Sequence, residues 1–433
     1  MLFNFKQFKA SQYADRLKPE ELNDLEILIK IFPFKVSRYV LDELIDWDNR
    51  KIDPIFRLVF PQRAMLKENH WNLIIGAQSR DEQRKAVQRI RRELNPHPDG
   101  QIANIPKIGN RQFGGLQHKY RETVLFFPAQ GQTCHSFCTY CFRWAQFVNL
   151  EDEHKFRSKD HSDLFDYLSE HEEVTDILFS GGDPMFMTNE QLCSYLDILL
   201  TPELDHVTNI RIGTKALSFY PQRFLGMKHD PLFRKIDNLI KNGKHIALMA
   251  HFSHPRELKT EKVVQAITRL RDAGVEIRTQ APLIRGINNS ASIWRKMWNK
   301  TVRLGMIPYY MFVERDTGAH HYFSVPLTEA YSIFTEAYSK VSGLAKTVRG
   351  PSMSADPGKV LIDGIVEVNG EKKFVLKFLQ ARNPKLVNKT FLAKYNADAT
   401  WFDELELDPY TFSYNDELSD TYEEELVPIL KNQ

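Results

Sequence analysis

The chain has 433 residues, 42% of them hydrophobic, with 58 basic side chains against 56 acidic ones. That is the balance of a globular protein with room for two or three domains' worth of structure, or for one elaborated α/β barrel. A net charge of +2 gives no support to a nucleic-acid partner. The opening "MLFNFKQFKASQYADRLKPEEL" has no apolar stretch followed by a small-residue cleavage site, and no long apolar run free of charge occurs elsewhere. Neither a secretory leader nor a membrane span is expected, and the expected location is the cytoplasm.

Up to residue 120 the pattern is mostly helical, clearest in "PEELNDLEILIKIF" and "SRDEQRKAVQRIRRELN", followed by the Pro/Gly-rich "NPHPDGQIANIPKIGNRQFGG". Between 121 and 345 the runs "TVLFFP", "VTDILFS", "VTNIRIG", "HIALMAHF", "VEIRTQAPLI" and "IPYYMFV" alternate with segments such as "NEQLCSYLDILL" and "KVVQAITRLRDA". Strand-like runs separated by connections long enough for a crossover helix predict a parallel βαβ series. The fold class is therefore α/β, a partial (β/α)6 barrel with a helical N-terminal region. From 346 to 433 a C-terminal α+β extension is expected, in which "KVLIDGIVEVNGEKKFVLKF" reads as a hairpin turning at Asn369-Gly370. The tail "LELDPYTFSYNDELSDTYEEEL" is acidic and reads as a surface or partner-contact segment.

Three of the four cysteines, Cys134, Cys138 and Cys141, lie in "TCHSFCTYCFRW", spaced C-x3-C-x2-C just after the first barrel strand. Loops at the carboxyl ends of parallel strands hold ligands, so the location suits an active site. Three thiolates can fix three irons of a 4Fe-4S cluster and leave the fourth iron open for chemistry. The competing reading is a zinc site completed by His118 or His135, although zinc sites more often pair cysteines across a longer loop. Cys193 stands apart in a helix-like run and reads as a small buried hydrophobe. The second strand run ends in "FSGGDP", where Gly181 and Gly182 allow close backbone approach and Asp183 offers an anionic acceptor.

The cysteine spacing resembles the signature of radical S-adenosylmethionine (SAM) enzymes. Tyr140 matches the aromatic position placed near the adenine, and Ser180, Gly181, Gly182 and Asp183 match the motif holding the methionyl amino group. The resemblance narrows to the lysine 2,3-aminomutase family over roughly residues 105 to 385, through "CFRW", "SGGDP", "RIGTKALSFYPQRF", "HFSHPREL", "TQAPLIRGINN", "PYYMF" and "DPGK". It implies a 4Fe-4S cluster, SAM cleaved to a 5'-deoxyadenosyl radical, and pyridoxal 5'-phosphate (PLP). It also implies that His251 and Gln280 lie against SAM, that Arg143 grips the substrate α-carboxylate, and that Lys359 carries PLP. "HKYRE" resembles the paired-basic stretch for the PLP phosphate, which makes Lys119 and Arg121 candidates, with the second basic residue displaced from the family pattern.

The implied activity is an isomerase moving an α-amino group to the β-carbon of a small-molecule amino acid, served by an electron donor such as flavodoxin or ferredoxin; the resemblance is compatible with a homo-oligomer. Lysine-specific relatives hold an aspartate where a gap-free match puts Arg315, in "VERDTG". A like charge there would repel a lysine side chain, so an acidic or neutral side chain is expected, with Glu314, Asp316 or Asp356 the groups that could reverse this. Two alternatives are a radical SAM enzyme without PLP and a non-catalytic iron-sulfur sensor or electron carrier. The second would leave the glycine motif and Arg143 without a purpose.

Overall fold

The computed structural model describes residues 1–96, 103–148, 157–159, 161–226 and 230–412; the acidic tail beyond Phe412 lies outside them. Its main sheet has eleven strands in sequential order: β1 Leu116–Tyr120, β2 Thr123–Phe126, β3 Asp176–Phe179, β4 Asn209–Thr214, β5 His245–His251, β6 Glu276–Leu283, β7 Ile307–Val313, β8 Arg349–Ser354, β9 Gly358–Val368, β10 Glu371–Ala381 and β11 Thr390–Lys394. The strands β2 to β8 run parallel, flanked by antiparallel β1 on one side and antiparallel β9 to β11 on the other.

Six strand runs are legible in the sequence, and β8 is a seventh parallel member. Its sequence, RGPSMS, carries no strand propensity, and its place follows from close approach: a Cβ on Gly350 would lie 2.6 Å from the Met311 carbonyl oxygen. The hairpin of β9 and β10 turns at Asn369 and Gly370, whose φ values of 54° and 81° suit the tight turn that Asn-Gly favours. It extends the barrel sheet and covers a second apolar cluster around Phe374, Phe378, Phe391 and Trp401.

Each crossover helix forms where its caps and apolar spacing agree. Thr188 caps Asn189–Ile198 in a capping box with Gln191, and Thr260 caps Glu261–Asp272. Val263, Ala266, Ile267 and Leu270 then make one buried stripe against the sheet, each large side chain contributing about 1.5–3 kcal/mol. In β6 burial alternates, with Ile277, Thr279, Ala281 and Leu283 buried and Arg278 and Gln280 half-exposed. Parallel strands covered on both faces read as continuous apolar runs. This alternation instead leaves one polar face along the strand.

The N-terminal helices Pro19–Leu28 and Arg80–Glu93 form where the sequence predicts them. They share one apolar core with the barrel. An aromatic group around Phe8, Phe34, Phe56 and Phe60, the last two stacked at 4.5 Å, packs within this region. Part of the Pro/Gly-rich stretch folds as a small hairpin, Lys107–Ile108 against Arg111–Gln112; residues 97–102 lie outside the described set.

Candidate active site

The cysteine loop follows β2 and is clamped from the N-terminal region. Phe137 N donates to the Lys35 carbonyl at 2.9 Å, Thr139 N to the Leu58 carbonyl at 2.9 Å, and Ser37 N to Ser136 Oγ at 2.9 Å. Cys134, Cys138 and Cys141 are half-buried and close enough for their charges to couple. Burial pushes all three thiols up, Cys138 to about 12 and Cys141 to about 11, so a metal must displace protons to bind.

Among the described residues no three His, Cys, Asp or Glu side chains are gathered tightly enough for one metal ion. His118 bonds Tyr167 Oη at 2.6 Å and the Arg121 carbonyl, and His135 stacks on Tyr220 at 4.6 Å. Cys193 lies in Asn189–Ile198, half-buried rather than buried, with Sγ 3.8 Å from the Pro231 carbonyl oxygen.

The glycine motif packs against this loop. Gly181 has a φ of +141°, and a Cβ on Gly182 would lie 2.4 Å from both N and O of Thr133. No side chain fits there without moving the backbone beside Cys134. Gly182→Ala should therefore cost about 1–3 kcal/mol of stability through overpacking. It should lower turnover by roughly 10²-fold, the effect of an ångström-scale displacement of reacting groups. Thermal unfolding and SAM-cleavage rates measured together check this, and unchanged rates would refute it.

Asp183 is engaged by the protein itself. It is buried; Oδ1 accepts from Met185 N at 2.9 Å and Thr214 Oγ1 at 2.6 Å, and Oδ2 accepts from Lys215 N at 3.0 Å. The carboxylate thus ties the glycine loop to the end of β4, although burial raises its pKa to about 6. Ser180 continues β3, its N–H donating to the Phe126 carbonyl at 2.9 Å.

His251 at the end of β5 and Gln280 on β6 are register neighbours, with His251 Nε2 accepting from Gln280 Nε2 at 2.8 Å. Burial lowers His251 to about 3, so it is neutral. Tyr140 Oη lies 3.0 Å from Ser253 Oγ. Beneath them Lys215 pairs with the fully buried Glu257 at 2.7 Å, and Glu257 also accepts from the N–H groups of Ser253 and His254. Asn288 donates to the Ser253 and Pro282 carbonyls at 3.0 and 2.9 Å. Lys215, Glu257 and Asn288 lie inside the quoted motifs, yet nothing in the sequence sets them apart from their neighbours. A fully buried Glu has only its pairing to justify it, which no sequence pattern reveals.

The other half of the site is cationic. Arg143 is buried against Phe127 and Phe142, at 4.4 and 5.0 Å from their ring centroids, and its Nη1 has no partner. Burial, with repulsion from Arg315, lowers its guanidinium to about 10 against the pull of Cys141. Arg315 approaches Phe142 at 5.8 Å. Its loop is held by Trp144, whose Nε1 donates to Thr317 Oγ1 at 3.1 Å, and by Thr317 N donating to the Arg315 carbonyl at 2.8 Å.

Lys359, at the start of β9, donates to Gln380 Oε1 at 2.9 Å and lies 4.4 Å from the Tyr310 ring centroid. Burial lowers it to about 8. Lys119 on β1 donates to the Ala355 carbonyl. Burial and the charges of Arg382 and Arg315 bring it to about 7, with Lys359 adding a smaller push.

The paired-basic expectation is corrected at Arg121. That residue sits exposed on the turn between β1 and β2, away from Lys119. The cation that does reach Lys119 is Arg382, beyond β10, which bonds Asn104 at 2.7 Å and Asp356 at 3.0 Å. Glu314 is buried and accepts from His320 Nδ1 at 2.7 Å, with burial raising it to about 7. Of the three carboxylates that could have supplied an anionic pocket, Glu314 is therefore engaged by His320 and Asp356 by Arg382. Asp316 couples to Arg315 itself.

A parallel strand series with three thiols on the loop after its first strand and a glycine loop set against them is the arrangement of a radical SAM enzyme, and the Radical SAM superfamily model matches residues 131–291. A protein of Aquifex aeolicus named "Putative L-lysine 2,3-aminomutase" is 29% identical over 91% of this chain and 93% of its own. L-lysine 2,3-aminomutase of Clostridium subterminale is 30% identical over 53% of this chain and 51% of its own. Glutamate 2,3-aminomutase of Clostridioides difficile is 28% identical over 49% and 47%. The chain thus carries a Radical SAM domain and is similar over most of its length to proteins named as lysine 2,3-aminomutases. No helix among the described residues is long and apolar enough to cross a membrane.

Proposed function

We propose that the chain is a PLP-dependent amino acid 2,3-aminomutase, moving an α-amino group to the β-carbon of a substrate whose side chain is acidic or neutral rather than that of free lysine. The observation that carries this reading is the cluster of five cations, Arg143, Arg315, Lys119, Lys359 and Arg382, against the four carboxylates Asp176, Asp316, Asp356 and Asp403 coupled to them. The unpartnered buried Nη1 of Arg143 is a donor awaiting an anion, since such a group costs about 1–3 kcal/mol if left unmet. A bidentate carboxylate meets it. Lys359 and Lys119 fit the covalent and phosphate contacts of PLP, and the three cysteines fit the cluster. When bound, the cluster with SAM supplies hydrogen abstraction, and PLP supplies conjugation to the migrating nitrogen.

The chain's own residues then divide the work. Arg143 orients the α-carboxylate, Arg315 reads the side chain, and neutral His251 with Gln280 offers a fixed hydrogen-bonding edge to SAM. The closed N-terminal packing excludes water from that side. Arg143→Lys keeps charge but loses the fork, and should lower kcat/KM by about 10- to 100-fold for every substrate. Arg315→Asp changes only the side-chain contact and should reorder glutamate, glutamine, lysine and arginine, raising lysine relative to glutamate by at least ~10²-fold. Hydrogen transfer from each amino acid into 5'-deoxyadenosine, measured anaerobically, checks both. Strong preference of the unaltered protein for lysine would overturn the substrate reading.

A further inference from the structure

The N-terminal region does more than clamp the cysteine loop, because it delivers a charge to it. Lys35 Nζ donates to Thr133 Oγ1 at 2.5 Å and lies 5.1 Å from the ring centroids of both Phe137 and Phe186. Its own carbonyl accepts from Phe137 N at 2.9 Å, so the backbone of Lys35 and the backbone of the cysteine loop are locked together. Thr133 immediately precedes Cys134; burial lowers the Lys35 ammonium below its usual range, and its coupling to the Cys134 thiol opposes that shift. Among the described residues no carboxylate is paired with Lys35. A lysine that is half-buried between two aromatic rings without an acidic partner is unusual, since desolvating an ammonium is costly unless something offsets it. Asp183 also couples to Cys134, more strongly and with the opposite sign, so the Lys35 cation offsets part of a carboxylate's effect on the thiol.

We propose that Lys35 is a positioning residue that sets the reduction potential of the iron-sulfur cluster, holding a fixed positive charge beside the Cys134 thiolate and so favouring the reduced state. This rests on the cluster assignment to Cys134, Cys138 and Cys141. Iron-sulfur potentials follow net charge and the hydrogen bonding and exposure around the sulfurs. The ammonium is anchored on the residue adjacent to Cys134, and a charge in a partly buried setting is screened less than one in water. One-electron reduction adds negative charge to the cluster, so a neighbouring cation stabilises the product of that step over its reactant. The aromatic rings keep water from solvating the ammonium, and the Thr133 hydrogen bond keeps it in place.

The test is an anaerobic redox titration followed by electron paramagnetic resonance on reconstituted full-length protein, with iron and sulfide content determined for each sample. Lys35→Gln retains a donor for Thr133 without the charge, Lys35→Met removes both, and Lys35→Arg retains the charge. Lys35→Gln and Lys35→Met should each lower the equilibrium constant for one-electron reduction by about tenfold, which is ~59 mV, at unchanged iron content. Lys35→Arg should stay close to the unaltered protein. Equal potentials in all four proteins at full iron content would overturn the proposal. Loss of the cluster in the Gln and Met variants but not in Arg would also overturn it, assigning Lys35 to cluster retention instead. Unaltered protein that binds no cluster would defeat the cluster assignment itself, a distinct result because it appears before any variant is compared.

Discussion

Replacing any one of Cys134, Cys138 or Cys141 by alanine should abolish the iron-sulfur chromophore and reductive SAM cleavage together, whereas Cys193→Ala should leave both intact. The three thiols share one loop held by Lys35, Ser37 and Leu58, and under the proposed assignment each would ligate a different iron, so losing one would leave two irons without protein ligands. Stability should change little by comparison, because the cysteines are half-buried and the clamp is made by backbone groups. Cys193 faces the Pro231 carbonyl, with Lys235, Asp197, Arg223 and Asp230 as its charged neighbours. Iron content and anaerobic turnover of 5'-deoxyadenosine distinguish the four variants. A cluster that survives loss of Cys138 but not of Cys193 would show the ligand set to be wrong.

The parts of this site that are legible in the sequence are those whose chemistry demands particular residues at short spacing. The C-x3-C-x2-C loop, the paired glycines and the Asn-Gly hairpin each encode local geometry, and each is found where expected. Asp183 is legible as a residue but not in the protein contacts it makes. Whether a carboxylate faces a ligand or Thr214 and Lys215 is decided by how β3 and β4 pair. Arg121 illustrates the same limit. A register irregularity between His118 and Tyr120 and the turn that follows carry Arg121 out to solvent, while sheet closure brings Arg382 to Lys119 from the other end of the sheet. Lys35 reaches the cysteine loop from about a hundred residues away, with no pattern to announce it. Long-range contacts of this kind become visible only once the strands are paired.

Lys359→Ala should eliminate PLP binding as a covalent adduct and bring aminomutase turnover to background, while leaving the cluster and its potential unchanged. The argument rests on three features that converge on one amine. Lys359 starts β9 directly after the tight DPG turn, so its backbone is fixed by pairing with Ser354. Its Nζ is oriented by Gln380 and by the face of Tyr310. Burial lowers it to about 8, with Arg211 and Arg349 adding repulsion that Tyr309 and Asp176 oppose. A nucleophilic amine must be neutral. At pH 8 about half of such a lysine is neutral, against about 0.4% for an ordinary one with a pKa near 10.4, an advantage of about a hundredfold in the reactive form. The sign follows: PLP loading should accelerate as pH rises through about 8 and level off above it, instead of climbing steadily towards 10. Lys359→Arg, which keeps the cation and much of the volume, should fail as completely as alanine, separating covalent attachment from electrostatic support. Borohydride trapping with peptide mapping reads the result directly. An adduct on Lys119 instead, whose amine is brought to about 7, would show that the two lysines have exchanged the roles assigned to them. No adduct anywhere in cluster-replete protein would leave the radical chemistry standing and remove PLP from it.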